Sequence, residues 1–253
     1  GVAAALSVGF AAPAAVTVFL WLQVGNLVQS AQTGPSITGI VTLISAYSAF
    51  ELKSSWDVAF VRGRKDGQYY CKDSGPPLTD SNRYTDWIIT VPLLLMELVF
   101  VLGISDEERH SLIIRLGLAA VFMIALGYPG ELQDNNIKLR WIFFGLSMIP
   151  FLYIVFTLVV ELGDATDRQP ESVKGLLLAA RILTILTWTV YPGIYLGKCL
   201  GMRGPKAVVF EQLGYTFADL AAKTVFGMVI WNIAIRQSRE WRLLAAAKNF
   251  SLD

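Results

Sequence analysis

Seven long apolar stretches, separated by short polar breaks, leave this chain few ways to fold. A helix needs about 20 mostly apolar residues to cross a bilayer. Stretches of that kind cover residues 2–28, 36–60, 82–103, 111–128, 137–162, 173–200 and 208–236. Lipid offers backbone groups no hydrogen-bond partners, so each crossing must satisfy its own, as a helix does. The expected fold is an all-α membrane protein, a single seven-transmembrane-helix bundle in a lipid bilayer. Composition agrees. The 253 residues are 54% hydrophobic and 16% charged, where a soluble domain carries about 25% charged residues.

The breaks are rich in turn formers. The longest, residues 61–81, holds the Gly, Pro, Asp and Ser of irregular structure. The charged run SDEERH, 105–110, separates the third stretch from the fourth. The first stretch has no basic leader and no small-residue cleavage site, so it reads as a span and not a signal peptide. Seven crossings put the termini on opposite sides. Arg236, Arg239, Arg242 and Lys248 place the C-terminus in the cytoplasm and the N-terminus outside. Arg62, Arg64, Lys65 and Lys72 in the long loop pull the other way, partly offset by Asp66 and Asp73. A net charge of +1 leaves no nucleic-acid footprint. One histidine, His110, and two cysteines, Cys71 and Cys199, supply no zinc or thiol-metal set, so no metal site is expected. Both cysteines read as free thiols.

The charges inside the apolar stretches are few and ordered. The third stretch reads RYTDWIITVPLLLMEL. Its Arg83, Asp86, Thr90 and Glu97 stand at offsets of three, four and seven, the period of one helix face. Ionisable groups on a spanning helix are costly toward lipid, so this face must turn inward. The last stretch contains FADLAAKTVFGMVIW, with Asp219 and Lys223 one turn apart. Two readings stand for that pair. It is a permanent ion pair that fixes packing, or Lys223 does chemistry. A desolvated lysine readily becomes a neutral amine, which condenses with an aldehyde as a Schiff base. Asp86 and Glu97 are about 16 Å apart along a helix axis. Two separated carboxyls with a titratable amine between them are the minimal parts of a vectorial proton relay. The static readings are a helix-end salt bridge for Arg83 and Asp86, and a protonated, hydrogen-bonded carboxyl for Glu97.

RYTDWIITVPLLLMEL, WTVYPGIY in the sixth stretch and DLAAKTVFG in the seventh, in that order, resemble the microbial (type 1) rhodopsins. The likeness is greatest to the proton-pumping proteorhodopsin and xanthorhodopsin group and covers the whole spanning region. It implies all-trans retinal bound covalently to Lys223 as a protonated Schiff base. It implies Asp86 as counterion and proton acceptor, Asp219 as second counterion, and Thr90 as the hydroxyl bonded to the acceptor. Arg83 is implied to couple this pair to the extracellular exit, and Glu97 to be the cytoplasmic proton donor. Trp87, Trp188, Tyr191, Pro192 and Tyr195 match residues of a retinal cage, and Phe144 and Ser147 of the fifth stretch adjoin it. Leu94 matches a colour-tuning position. The implied activity is a light-driven outward proton pump, with protons as cargo. A homo-oligomer, pentamer or trimer, is implied too, in the plasma membrane or an internal membrane of a microbe.

The pattern also departs from the group. A histidine usually bonds the acceptor from the second helix; in AYSAFELKSSW, Ser48 stands at that place. His110 lies in a polar run and cannot serve, so Asp86 is expected to titrate differently from its relatives. Tyr195 replaces a tryptophan of the archaeal pumps. Glu211 resembles one of two release glutamates, but the partner position is Leu200; the plainer reading is an exposed helix-end carboxylate. Phe144 stands where carotenoid-binding relatives have glycine, so no antenna carotenoid is expected. Three rivals remain. One is a sensory photoreceptor that signals to a partner. Another is a light-gated ion channel, suggested by Glu51, Lys53 and Asp57 in the second stretch. The third is a bundle with structural ion pairs and no chromophore.

Overall fold

A computed structural model of the chain describes residues 1–62, 69–71, 78, 80–133 and 136–250. Arg64, Lys65, Asp66, Lys72 and Asp73, which bear on orientation, lie outside the described residues. The first span is α1 (Val2–Gln23), followed by two 3₁₀ turns and α2 (Thr33–Ala59). Strands β1 (Phe60–Arg62) and β2 (Tyr69–Cys71) then pair antiparallel, with Phe60 opposite Cys71. This small hairpin stands where only irregular loop was expected. The third and fourth spans are α3 (Ser81–Phe100) and α4 (Asp106–Glu131). The fifth is α5 (Ile137–Val159), extended by the short α6 (Glu161–Asp167), and the sixth is α7 (Glu171–Cys199). The seventh is composite: α8 (Gly204–Asp219), a π-helical turn over Leu220–Val225, and α9 (Phe226–Phe250).

The SDEERH run is not a separator. Ser105 caps α4 by accepting a hydrogen bond from the Glu108 amide at 3.2 Å, and Asp106, Glu107 and Glu108 fill the first turn. Acidic groups there oppose the positive end of the helix dipole. His110 therefore sits on α4, exposed, and not in a loop.

The burial pattern is that of a membrane protein. Phe122, Ile149, Phe156 and Leu186 point outward and are exposed, while Arg83, Asp86, Glu97 and Lys223 are buried. Among the described residues, five helical segments are long and apolar enough to cross a membrane. The remaining two spans, α2 and α3, fall short because their inner faces carry Thr38, Thr42, Ser45 and Ser48, and Arg83, Asp86, Thr90 and Glu97. The main apolar cluster joins Leu94 and Leu98 of α3 to Leu116 of α4, Ile154 of α5, Leu177 of α7 and Ile230 of α9. Close approach of the seventh span to α2 depends on Gly227. A Cβ there would lie 2.3 Å from Thr38 Cγ2.

Candidate functional site

The inner faces of α3 and the seventh span meet at Lys223, which is almost wholly buried. Its Nζ donates to Asp86 Oδ2 and lies 3.4 Å from Asp219 Oδ1. Lys223 sits in the π-helical turn, a wider register often found at functional sites. Thr90 Oγ1 donates to Asp86 Oδ1 at 3.1 Å and to the Asp86 carbonyl at 2.9 Å. Asp219 accepts from Trp87 Nε1 at 3.0 Å and the Tyr191 hydroxyl at 2.8 Å, both on Oδ1. Arg83 NH1 donates to its Oδ2 at 3.1 Å.

Arg83 also reaches outward. NH2 donates to Gln212 Oε1 at 3.0 Å and Thr216 Oγ1 at 3.3 Å, and Nε lies 3.4 Å from Asp80 Oδ1. Gln212 Nε2 closes the ring on Asp80 at 2.8 Å. Beyond it, Lys198 Nζ lies 2.8 Å from Glu131 Oε1 and 2.8 Å from Glu211 Oε1. Glu211 is thus not an exposed helix-end carboxylate; it is 3% exposed and ion-paired. Leu200 is 76% exposed and takes no part. Carboxylate oxygens of Asp80, Glu131 and Glu211 all lie within 4.8 Å of one another, and Lys198 already bridges two of the three groups.

Lys223 also forms part of the wall of an aromatic cavity. Trp87, Leu94, Trp188, Tyr191, Pro192 and Tyr195 line it, and Phe144 and Ser147 of α5 contribute as well. Trp87 packs edge-on to Tyr191, with ring centroids 5.1 Å apart, and Phe144 stacks on Tyr195 at 5.5 Å. A slot of flat rings with one amine in its wall fits a long, flat, apolar molecule that carries one aldehyde.

Glu97 stands apart from this cluster. It is fully buried, and Thr38 Oγ1 donates to its Oε2 at 2.8 Å. Oε1 has no hydrogen-bond partner among the described residues. One turn away on either side, Leu94 of the same helix face and Val101 just past the helix end are both buried. Ser48, at the place of the expected histidine, is buried and donates to the Asn82 carbonyl at 3.2 Å.

Sequence reasoning missed Thr38, Asp80, Glu131, Lys198 and Gln212. Thr38 is a threonine in an apolar helix, where a structural hydroxyl is common and nothing marks it. Glu131 and Asp80 lie at helix ends that read as turns.

Seven helices around a buried lysine flanked by carboxylates, with an aromatic slot beside it, define a membrane protein of the retinal-binding class. The sequence pattern of the bacteriorhodopsin-like proteins matches residues 2–237, and the chain belongs to that family. Family members bind retinal covalently through a lysine, are integral membrane proteins, and are not enzymes. The green-light absorbing proteorhodopsin of Gamma-proteobacterium EBAC31A08 is 28% identical over 230 residues, covering 90% of this chain and 84% of that protein. The solved structure of xanthorhodopsin, described as a light-driven ion pump with dual chromophore, superposes with a TM-score of 0.87 at 37% identity. It covers 94% of each chain. A thermophilic rhodopsin superposes equally well, with a TM-score of 0.87 at 34% identity and the same 94% coverage of each chain. The place of this chain is thus near the proteorhodopsin and xanthorhodopsin group.

Proposed function

We propose that this chain is a light-driven outward proton pump, with Lys223 as the retinal-bearing residue. Retinal, when bound there as a protonated Schiff base, supplies a light-sensitive group whose hold on one proton changes on illumination. The protein's own residues do the rest. Asp86 is the acceptor: it shares a hydrogen bond with Lys223 Nζ and has Thr90 on its other oxygen. Asp219 is the fixed counter-charge. Arg83, Trp87 and Tyr191 all donate to it, and each donor favours the anion. Of the two carboxylates, Asp86 is therefore the freer to take a proton.

Glu97 is the donor. A carboxylate there would lie buried with one hydroxyl partner and no ion-pair partner among the described residues. Such an ion costs several kcal/mol, so the group rests as the acid. Its place about 16 Å along α3 from Asp86 keeps it out of the cluster around Lys223, as a separate donor would need.

The C-terminal helix supports the outward direction. Gln237 Nε2 donates to the Val101 carbonyl at 2.9 Å, so the basic end of α9 lies at the Glu97 end of α3. Arg236, Arg239 and Arg242 flank it there. Basic ends favour the cytoplasm, which makes Glu97 the inner group and Arg83 the outer one. The surface pairing of Lys53 with Asp57 speaks against the channel reading. They meet at 2.6 Å, with side chains 35% and 51% exposed, and do not line the interior.

The single observation that carries this reading is the unequal setting of the two carboxyls on one helix. The test is the light-induced pH change of a suspension of cells expressing the chain with retinal. The medium should acidify in light, and a protonophore should abolish the change. Colour with no pH change, and a photocycle lasting seconds, would favour a photosensor instead.

A further inference from the structure

Glu97 is wholly buried, yet a donor has to be refilled from outside the bundle. At its end of the bundle, a short piece of α9 holds the other helices shut. Three successive side chains there each grip a different segment. Arg236 NH1 donates to the Ser172 carbonyl at 2.8 Å, at the start of α7. Gln237 Nε2 donates to the Val101 carbonyl at 2.9 Å, just past the end of α3. Ser238 Oγ accepts from the Val28 amide at 3.1 Å, in the link between α1 and α2. About one turn on, Arg242 NH2 donates to the Asn26 carbonyl of that same link at 2.6 Å. Helix ends leave backbone groups without partners inside the helix, and these side chains supply some of them.

The middle contact bears on Glu97 most directly. Val101 lies one turn after Glu97, and its amide donates to the Glu97 carbonyl at 3.3 Å. Its side chain is buried beside Gly34 of α2 and Ile230 of α9. A Cβ on Gly34 would lie 3.0 Å from Val101 Cγ1 and 3.3 Å from Ile230 Cγ2. Two residues further on, Gln169, from the link between α6 and α7, grips Gly103. Its Oε1 accepts from the Gly103 amide at 3.2 Å, and its Nε2 donates to the Gly103 carbonyl at 3.5 Å. The segment that follows Glu97 is thus clamped from two sides by neutral amide side chains. A hydrogen bond between neutral groups contributes little net free energy, because water replaces the lost partner when it opens. Such clamps hold at rest and open at small cost.

We propose that Arg236, Gln237 and Ser238 form a keystone that shuts Glu97 off from the cytoplasm, and that opening of the Gln237 contact governs how fast Glu97 exchanges its proton with that side. Gln237 and Gln169 are positioning residues. They act through the backbone of Val101 and Gly103, and neither lines the aromatic cavity. Consecutive residues on a helix point in different directions, about 100° apart. A small turn or shift of α9 therefore loosens its holds on α3, on α7 and on the α1–α2 link together. Lys223 stands on the same span, about 20 Å away along the helix axis. The amine end and the keystone are thus parts of one continuous helical element.

The proposal rests on Glu97 being the donor, and the test separates the two claims. Purified pigment is placed in D₂O in the dark, and the downshift of the Glu97 C=O stretch times the exchange of its proton. The infrared difference between the parent and Glu97→Gln locates that band. Flash spectroscopy with a pH-sensitive dye times the first proton transfer and the later uptake. The variants are Gln237→Met and Gln169→Met, which keep length and lose the donor, their double, and Ser238→Ala. Gln237→Met should speed dark exchange and uptake by about fivefold, the scale of one hydrogen bond. Ser238→Ala should do so less, and the double more than either single variant. The first transfer should keep its rate in all of them. If Gln237→Met fails to form pigment, Gln169→Met carries the same test. Should Glu97→Gln recover at the parent's rate, the donor reading fails, and dark exchange alone judges the keystone. Unchanged exchange and uptake in the glutamine variants would overturn the keystone. So would equal speeding of the first transfer, which would mark a general loosening of the bundle.

Discussion

Asp86 and Glu97 share one helix and one face, yet their surroundings are opposite. Asp86 lies in a polar cluster with an amine, a hydroxyl and a second carboxylate tied to a guanidinium. Glu97 has one threonine and, among the described residues, no partner on its other oxygen. The difference teaches that burial alone does not assign a role to a carboxyl. Where cations and donors converge, the charged form is favoured; where they are missing, the neutral form is. An outward pump needs one group of each kind, on opposite sides of the switch.

The largest effect should come from removing what the Asp86 side is built around. Lys223→Ala with added retinal should give no visible pigment and no light-driven pH change, read by absorption and a pH electrode. Next is the acceptor. Asp86→Asn should keep the pigment and cut proton transport by about 10²-fold or more, because a positioned acid–base group is lost. On the other side, Glu97→Gln should leave the first proton transfer intact. It should slow recovery of the resting pigment by about 10²-fold, measured by flash spectroscopy. Equal slowing of both steps would erase the contrast between the two carboxyls.

Thr38→Val sharpens the comparison. It removes the hydroxyl bonded to Glu97 and keeps the shape, so recovery should change by about fivefold, the scale of one hydrogen bond. The same change should not touch the Asp86 titration. The smallest effect on transport belongs to Phe144→Gly. Phe144 stacks on Tyr195 at the cavity wall, far from both carboxyls in role. Pumping should be unchanged, while added carotenoid should bind the variant and not the parent, judged by energy transfer to retinal.

Much of this was legible in the sequence, for identifiable reasons. Span lengths follow from bilayer thickness, so seven apolar stretches already implied the bundle. Arg83, Asp86, Thr90 and Glu97 announce one inner face because charges cannot face lipid. The structure brings Asp86, Asp219, Lys223, Arg83 and Thr90 together and keeps Glu97 apart. What stayed hidden were features set by pairing between helices or by backbone register. The π-helical turn around Lys223 is invisible in a spacing that reads as an ordinary helix. Thr38 gains its meaning only because α2 runs antiparallel to α3 and Gly227 lets the seventh span close in. Glu211 looked exposed because Lys198, its partner, comes from another helix. The start of α4 was misplaced because three acidic residues looked like a loop, although the Ser105-to-Glu108 spacing of a helix cap was present.

The most direct test of the central claim is time-resolved infrared spectroscopy of the carboxyl C=O stretch after a single flash. Two signals are predicted. An early gain, absent in Asp86→Asn, marks proton arrival at Asp86. A later transient loss, absent in Glu97→Gln, marks proton departure from Glu97. A cycle that shows the gain without any loss assignable to Glu97 would contradict the account, because the isolated carboxyl would then be a structural acid and not the donor.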